Sequence, residues 1–144
     1  MIRDLGAADE AAFRHLWAQY LAFYRVDLDP AITDFTWTRL LDAGSALKAR
    51  VADVDGVVQG FAVHQAHPST WVMGNDCYLE DLFVAQAARG IGLGRALIAD
   101  LQVLAKARGW QRLYWHTDQD NARARALYDS IVPSDGHLRY RIRL

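Results

Sequence analysis

The chain has 144 residues, 52% of them hydrophobic, and a formal net charge of −1 at pH 7. This length suits a single domain, residues 1–144, that buries its own core. No apolar run approaches about 20 residues and the N-terminus does not resemble a signal peptide, so we expect a cytoplasmic protein with no membrane partner. The balanced charge argues against nucleic-acid binding, and the single cysteine, Cys77, excludes an internal disulfide and a CxxC metal site.

The two parts of the chain differ in charge. Residues 1–81 carry 12 acidic and 6 basic side chains, whereas residues 82–144 carry 5 acidic and 10 basic ones. Since opposite charges attract, this asymmetry favours a polyanionic ligand in the C-terminal part and a cationic ligand in the N-terminal part.

The first 44 residues predict a short strand at residues 2–5 and two helices. Apolar side chains recur at helical spacing over residues 13–24, and a second helix begins at Pro30 and ends near Gly44. The side chains of the second helix that are predicted to face the core are Phe35, Leu40 and Leu41.

A β-hairpin and a further strand follow. Apolar and charged residues alternate over residues 47–51, Asp55-Gly56 forms a tight turn, and residues 57–64 return as the second strand. After a loop, another strand starts between residues 71 and 77 and ends at Val84. Cys77 falls in this region, where we expect it to be a small core residue.

The C-terminal part predicts two helices and two strands. A helix covers residues 95–108 and stops at Gly109, a strand covers residues 112–117, and a short helix runs from Asn121 to Tyr128. Residues 138–144 alternate apolar side chains with arginines, which is typical of a half-buried last strand. The buried stripe of the longer helix is predicted to be Leu93, Ala96, Leu97, Leu101, Leu104 and Ala105. The element order indicates an α/β domain with a mixed sheet.

The most informative motif is the run Arg-Gly-Ile-Gly-Leu-Gly at residues 89–94, between a strand and a helix. Free N–H groups at a helix N-terminus bind phosphate, and glycines allow the phosphate to approach them closely. The dinucleotide fingerprint fails because Arg95 stands where its third glycine should be, and the nucleoside-triphosphate loop fails because Lys and Ser/Thr do not follow Gly94. A tight turn without a ligand remains the structural alternative.

This arrangement resembles the GNAT family of N-acetyltransferases. Arg89, Gly92 and Gly94 occupy the specified positions of the family signature Q/R-x-x-G-x-G/A, and Asn121 followed by Tyr128 matches the last helix of the family. The implied fold is the GNAT acyl-CoA N-acyltransferase fold, an α/β domain with a mixed, mostly antiparallel sheet flanked by helices. Within the family, residues 79–84 and 115–121 are most similar to the diamine (spermidine/spermine) and the Hpa-type histone and polyamine acetyltransferases.

The resemblance implies acetyl-CoA as cosubstrate and no metal. The pyrophosphate would lie on the N–H groups of the glycine turn, and the pantetheine arm would lie between the preceding strand and the start of the last helix. The residues implied in cofactor binding are Leu82, Phe83, Val84, Arg89, Gly90, Ile91, Gly92, Leu93, Gly94, Arg95, Asn121 and Arg123.

The resemblance also implies two catalytic residues. Tyr128 would donate a proton to the CoA sulfur, and Glu80 would take the proton of the amine through water; the structural alternatives are a core tyrosine and a solvated glutamate. Glu80 and Asp81 are neighbours in a strand, so we expect their side chains on opposite faces and only one at the reacting centre. The candidates for binding the acceptor are Tyr24, Asp81, Trp115 and His116.

The function implied is transfer of an acetyl group to a primary amine by direct attack in a ternary complex. A polyamine or another small cationic amine is the expected acceptor, while a protein or histone lysine acetyltransferase and a non-catalytic acyl-CoA-binding module remain alternatives. One clear C-terminal strand, where many family members have two, would leave a sheet edge exposed, so we expect a homodimer through residues 137–144.

Overall fold

The computed structural model describes all of residues 1–144 and contains a five-stranded sheet and four α-helices. No helix has the length and apolar character needed to cross a membrane. The strands are β1 (Ile2–Asp4), β2 (Leu47–Val54), β3 (Val57–Pro68), β4 (Asn75–Val84) and β5 (Arg112–Tyr114). The helices are α1 (Glu10–Phe23), α2 (Pro30–Leu41), α3 (Leu93–Ala107) and α4 (Ala122–Asp129).

The strands lie in the order β1-β2-β3-β4-β5. The first four are antiparallel to their neighbours, and only β5 pairs with β4 in parallel. The hairpin between β2 and β3 turns at Asp55-Gly56, where both residues have positive φ, as this kind of two-residue turn requires. The predicted mixed, mostly antiparallel sheet and the predicted hairpin are confirmed.

Helices cover both faces of the sheet. On one face α1 and α2 pack on an aromatic cluster, in which the rings of Phe13 and Phe61 lie 5.2 Å apart. On the other face α3 buries Leu97, Ile98 and Leu101 against β3 and β4. Burial of each such side chain stabilises the fold by roughly 1.5–3 kcal/mol. Cys77 is fully buried, as expected for a core residue.

A β-bulge interrupts the pairing of β3 with β4. Val63 lies opposite Asp81 and the next residue, His64, lies opposite Leu79, so Glu80 is an extra residue without a partner. A bulge reverses the alternation of faces at the extra residue. Glu80 and Asp81 consequently line the same cavity on the α1 and α2 side of the sheet. The expectation that they point to opposite faces is wrong.

The inward face of α2 also differs from the prediction. Leu40 is buried as expected, but Phe35 is 60% exposed and Leu41 is 41% exposed. The stripe that contacts the core is set by Trp37 and Leu40, which are three residues apart, and Phe35 lies on the opposite side of the helix. The helix ends at Leu41, before the predicted stop at Gly44. In α3, similarly, Ala96 is exposed and Ile98 takes its place in the core.

The C-terminal elements are shorter than predicted. β5 ends at Tyr114 and not at residue 117, because its parallel pairing with β4 stops at Tyr78, just before the bulge. Residues 133–144 form no strand, and Leu138, Tyr140, Ile142 and Leu144 are each at least 78% exposed. The alternating pattern is present, but a strand needs a partner, and the segment pairs with no strand of this chain.

His64 is a buried histidine on β3. It is 3% exposed, and its Nδ1 atom has no hydrogen-bond partner. Burial, with the nearby positive charge of Arg50, lowers the pKa of His64 to about 4. The folded state therefore holds a neutral imidazole at pH values where the unfolded chain is already protonated.

We predict that His64 makes folding stability depend on pH. Because the pKa of His64 is lower in the folded state, the unfolded chain binds more protons between about pH 7 and pH 4, and the free energy of unfolding falls as the pH falls through that range. Compared with a His64→Leu variant, the wild type should lose about 2 kcal/mol across this range. Urea unfolding at pH 7.0, 5.5 and 4.5 measures this difference.

The exposed His15 on α1 provides the control. His15→Gln should show the same pH dependence as the wild type. Parallel curves for the wild type and His64→Leu would contradict the prediction.

Candidate active site

The glycine turn lies directly before α3, as predicted. Gly90 and Gly92 have φ values of +89° and +86°, in the left-handed region that disfavours side chains, and Gly92 is the N-cap of α3. A Cβ atom built on either glycine meets no atom within 4 Å. The first N–H groups of this 15-residue helix have no partner within the helix, and the helix dipole adds partial positive charge there.

This turn forms one wall of a cleft with a volume of about 380 Å³. The cleft is lined by Phe23, Tyr24, Leu82, Phe83, Val84, Ala88, Arg89, Gly90, Gly92, Leu93, Gly94, Arg95, Asn121, Arg123, Ala124, Leu127 and Tyr128. All the residues predicted to bind the cofactor line it except Ile91, whose side chain is 66% exposed. Residues separated by up to 105 positions in the chain thus meet around one space.

Three guanidinium groups in the cleft give it positive charge. Arg89 donates through Nε to the carbonyl oxygen of Val84 at 3.1 Å, and its guanidinium lies 5.6 Å from the ring of Phe83. Arg95 and Arg123 also line the cleft, and none of the three forms a salt bridge. Unpaired guanidinium groups beside a helix N-terminus suit a ligand with several phosphates.

The helix α4 forms the opposite wall. Asn121 caps it, because the Asn121 side-chain oxygen accepts a hydrogen bond from the N–H of Ala124 at 3.3 Å. Tyr128 lies in the last turn and faces the cleft, and its ring packs edge-on against Trp115 at 5.4 Å. Burial, and then the neighbouring Tyr24, raises the pKa of Tyr128 to about 12. The Tyr128 hydroxyl therefore carries its proton at neutral pH and can donate it.

A second cavity, of about 470 Å³, lies on the α1 and α2 face of the sheet. The cavity is lined by Trp17, Thr36, Arg39, Ser45, Ala46, Leu47, Val63, Gln65, Glu80 and Asp81. The bulge brings both carboxyl groups into it. A cavity with two carboxylates suits a ligand that carries a positive charge.

The two carboxyl groups have different surroundings. The hydroxyl of Tyr20 donates to Asp81 Oδ1 at 2.6 Å, whereas the more exposed Glu80 accepts a hydrogen bond from Gln65 Nε2 at 3.1 Å. Burial raises the pKa of Asp81 to about 6, against the hydrogen bond from Tyr20, and the charge of Glu80 adds to the increase. Asp81 is therefore a carboxylate at neutral pH that can accept a proton more readily than an exposed aspartate.

Three tyrosines connect the cavity to the cleft. Tyr20, which is hydrogen-bonded to Asp81, packs edge-on against Tyr24 with ring centroids 5.0 Å apart. Tyr24 and Tyr128 both line the cleft. The predicted acceptor residue Tyr24 thus lies beside Tyr128, on the cleft side of this junction.

The other two predicted acceptor residues lie elsewhere. Trp115 packs behind Tyr128 against the α3 side of the core. His116 lies next to Tyr78, with its Nδ1 atom 3.3 Å from the tyrosine hydroxyl. Neither side chain lines the cleft or the cavity. Sequence reasoning instead missed Arg39 and Gln65, which no motif distinguishes from ordinary surface residues.

The sequence of the chain matches a known enzyme family. Residues 10–131 match the model of the acetyltransferase (GNAT) family. The chain belongs to the GNAT family. It is therefore an acetyl-CoA-dependent N-acetyltransferase, as the sequence predicts, and the cleft is suited to hold CoA.

Three similar proteins illustrate the range of this GNAT enzyme's relatives. The D-amino-acid N-acetyltransferase HPA3 of Saccharomyces cerevisiae is 31% identical over 92% of this chain and 83% of its own length. The thialysine N-epsilon-acetyltransferase of Caenorhabditis elegans is 41% identical over 44% of this chain and 39% of its own length. The crystal structure of a ribosomal-protein-alanine N-acetyltransferase from Brucella melitensis biovar Abortus 2308 is 28% identical, with a TM-score of 0.85 over 100% of this chain and 99% of that one.

We predict that Gly92→Ala weakens CoA binding. The alanine methyl group would stand in the open space of the cleft beside the α3 N-terminus and block close approach of a phosphate. The left-handed backbone also costs a side chain roughly 1–2 kcal/mol of stability. Calorimetric titration with CoA should show at least about a tenfold loss of affinity, as expected when a charge-assisted hydrogen bond is lost.

Gly56→Ala is the matched control. Gly56 has a φ of +83° and open space around a built Cβ, but it lies in the hairpin turn, away from the cleft. This variant should lose similar stability and bind CoA like the wild type. Equal loss of CoA affinity in both variants would show that strain, and not a blocked phosphate site, causes the effect.

Proposed function

We propose that this enzyme acetylates a small primary amine that binds in the cavity of Glu80 and Asp81. The observation that carries the proposal is the division of β4 at its bulge. Glu80 and Asp81 face the cavity, whereas the next three residues, 82–84, line the cleft. One short stretch of strand therefore serves both substrates.

The residues of the cleft fit acetyl-CoA. Arg89, Arg95 and Arg123, with the free N–H groups at the start of α3, would hold its phosphates. β4 pairs with β5 only over residues 76–78, so the β5 side of residues 79–84 has no neighbouring strand. Apart from the Val84 carbonyl oxygen, which accepts a hydrogen bond from Arg89 Nε, the backbone groups on this side would be available to hydrogen-bond the amides of the pantetheine arm.

When bound, acetyl-CoA supplies the acetyl group as a thioester, and its transfer requires the amine to lose a proton and the sulfur to gain one. The carboxylates of Asp81 and Glu80 are the proton acceptors that the cavity offers to an amine. Asp81, with a pKa of about 6, is ionised at neutral pH and close to the optimum for a general base. Glu80, which is more exposed, would hold the ammonium or pass its proton to water. Tyr128 would donate a proton to the sulfur.

The size of the cavity and the similar proteins guide the choice of amines to test. A volume of about 470 Å³ suits a small molecule. Relatives of this enzyme are named for D-amino acids and for thialysine. A panel of polyamines, D- and L-amino acids, thialysine and basic peptides therefore covers both the polyamine expected from the sequence and the acceptors of those relatives.

We predict that Tyr128→Phe lowers kcat by about 100-fold or more, since it removes only the proton donor. CoA affinity should change little, because the ring and its packing on Trp115 remain. Release of free thiol from acetyl-CoA with each amine of the panel measures kcat, and calorimetry measures the affinity for CoA.

Tyr114→Phe is the control, because the Tyr114 hydroxyl lies outside both spaces and contacts His67 Nε2 at 2.6 Å. It should keep the wild-type rate. Unchanged kcat in Tyr128→Phe would remove this residue from the mechanism. Tight CoA binding without thiol release for any amine would favour a non-catalytic module.

We further propose that the enzyme is a homodimer in which residues 137–144 of each chain complete the sheet of the other. The support is an open edge beside β5 and four exposed apolar side chains, Leu138, Tyr140, Ile142 and Leu144, at alternating positions. Light scattering should give twice the chain mass of 16.2 kDa, and truncation after Gly136 should give a monomer. A single species of chain mass at micromolar concentration would contradict the proposal.

A further inference from the structure

We infer that the acceptor amine also carries a carboxylate, which Arg39 binds. The inference rests on the proposed function and narrows the acceptor to amino acids. Three observations support it: the isolation of Arg39, the lack of an acceptor for its Nε–H, and the charge pattern of the cavity.

Arg39 has no carboxylate partner. Its guanidinium donates one hydrogen bond, from Nη2 to Thr36 Oγ1 at 3.2 Å, and lies 4.7 Å from the centre of the Phe35 ring. Four other arginines, by contrast, are paired with aspartates: Arg3, Arg14, Arg50 and Arg112. A guanidinium has five N–H donors, so most of the hydrogen-bonding capacity of Arg39 is unused.

The unused capacity includes a buried atom. Arg39 Nε is shielded from solvent and has no hydrogen-bond partner. A buried donor without an acceptor is costly, and native proteins retain few of them. The Nη atoms of Arg39 are not shielded in this way, and Arg39 lines the cavity, so a carboxylate that enters there can accept hydrogen bonds from the Nη N–H groups. Because the guanidinium of Arg39 packs against the ring of Phe35, it is already positioned to contact a carboxylate.

The cavity combines one guanidinium with two carboxyl groups. Glu80 and Asp81 lie on β4 and Arg39 lies on α2, and all three line the same space without forming a salt bridge with each other. An amino acid matches this pattern, with its ammonium toward the carboxylates and its carboxylate toward Arg39. A polyamine does not, since its second ammonium would meet the like charge of Arg39.

Matched pairs of amines test the inference with the wild-type enzyme. Each pair differs only by the carboxylate: D- or L-phenylalanine against phenethylamine, and D- or L-lysine against cadaverine. The first pair probes an α-amine and the second a side-chain amine, and both enantiomers are included because the cavity is chiral. We expect kcat/KM at least 10-fold higher for the amino acid of one pair, which is the effect of a charge-assisted hydrogen bond.

Variants of Arg39 separate a binding role from a structural one. Arg39→Gln should lower kcat/KM for the amino acid 10- to 100-fold, mainly through KM, and leave the decarboxylated amine unchanged. Arg39→Glu should reverse the preference and improve cadaverine, a gain that loss of structure cannot produce. Arg108→Gln, an exposed arginine near the end of α3, is the control and should behave like the wild type.

Failure of the inference and failure of the proposed function give different results. If both members of every pair react equally, or if Arg39→Gln slows both equally, Arg39 does not bind a carboxylate, although amine acetylation stands. If no amine in any pair is acetylated while CoA still binds, the proposed function itself is wrong. CoA affinity should be unchanged in all Arg39 variants, because Arg39 does not line the cleft.

Discussion

The single extra residue in β4 is the constraint on which the site depends. Without the bulge at Glu80, the alternation of the strand would send Glu80 and Asp81 to opposite faces, and the cavity would keep one carboxylate. With it, both face the cavity, and parallel pairing with β5 ends at Tyr78. The same irregularity thus collects the acidic groups and leaves the rest of the strand open on the β5 side.

The cleft and the cavity, which meet at the bulge in β4, have opposite electrostatic character. The cleft contains unpaired guanidinium groups and the N-terminus of α3, so it attracts an anion. The cavity contains two carboxylates, which attract an ammonium group. Tyr20 and Tyr24 lie between them, and Tyr20 is hydrogen-bonded to Asp81, whose burial raises its pKa to about 6. The proposed proton acceptor, Asp81, and the proposed proton donor, Tyr128, therefore line different spaces.

Much of this arrangement was predictable because it depends on local chemistry. The glycine turn before α3, the Asp-Gly hairpin turn and the start of the last helix at Asn121 follow from the residues themselves, and the sequence predicts all three correctly. Predictions failed where a neighbouring element decides. The face of α2 depends on how Trp37 meets the core, and the last strand pattern, although present, finds no partner in one chain.

By itself, the sequence determined the family, the element order as far as α4, the glycine turn before α3 and the candidates Tyr128 and Glu80, because these depend on short spacings along the chain. Only the tertiary structure decided that Asp81 shares a cavity with Glu80, that it is half-buried and hydrogen-bonded to Tyr20, and that Arg39 lines the same space. The physical reason is that a bulge arises from the way two strands pair, and whether a charge is paired depends on which residues the fold places beside it. Neither property belongs to any one stretch of sequence.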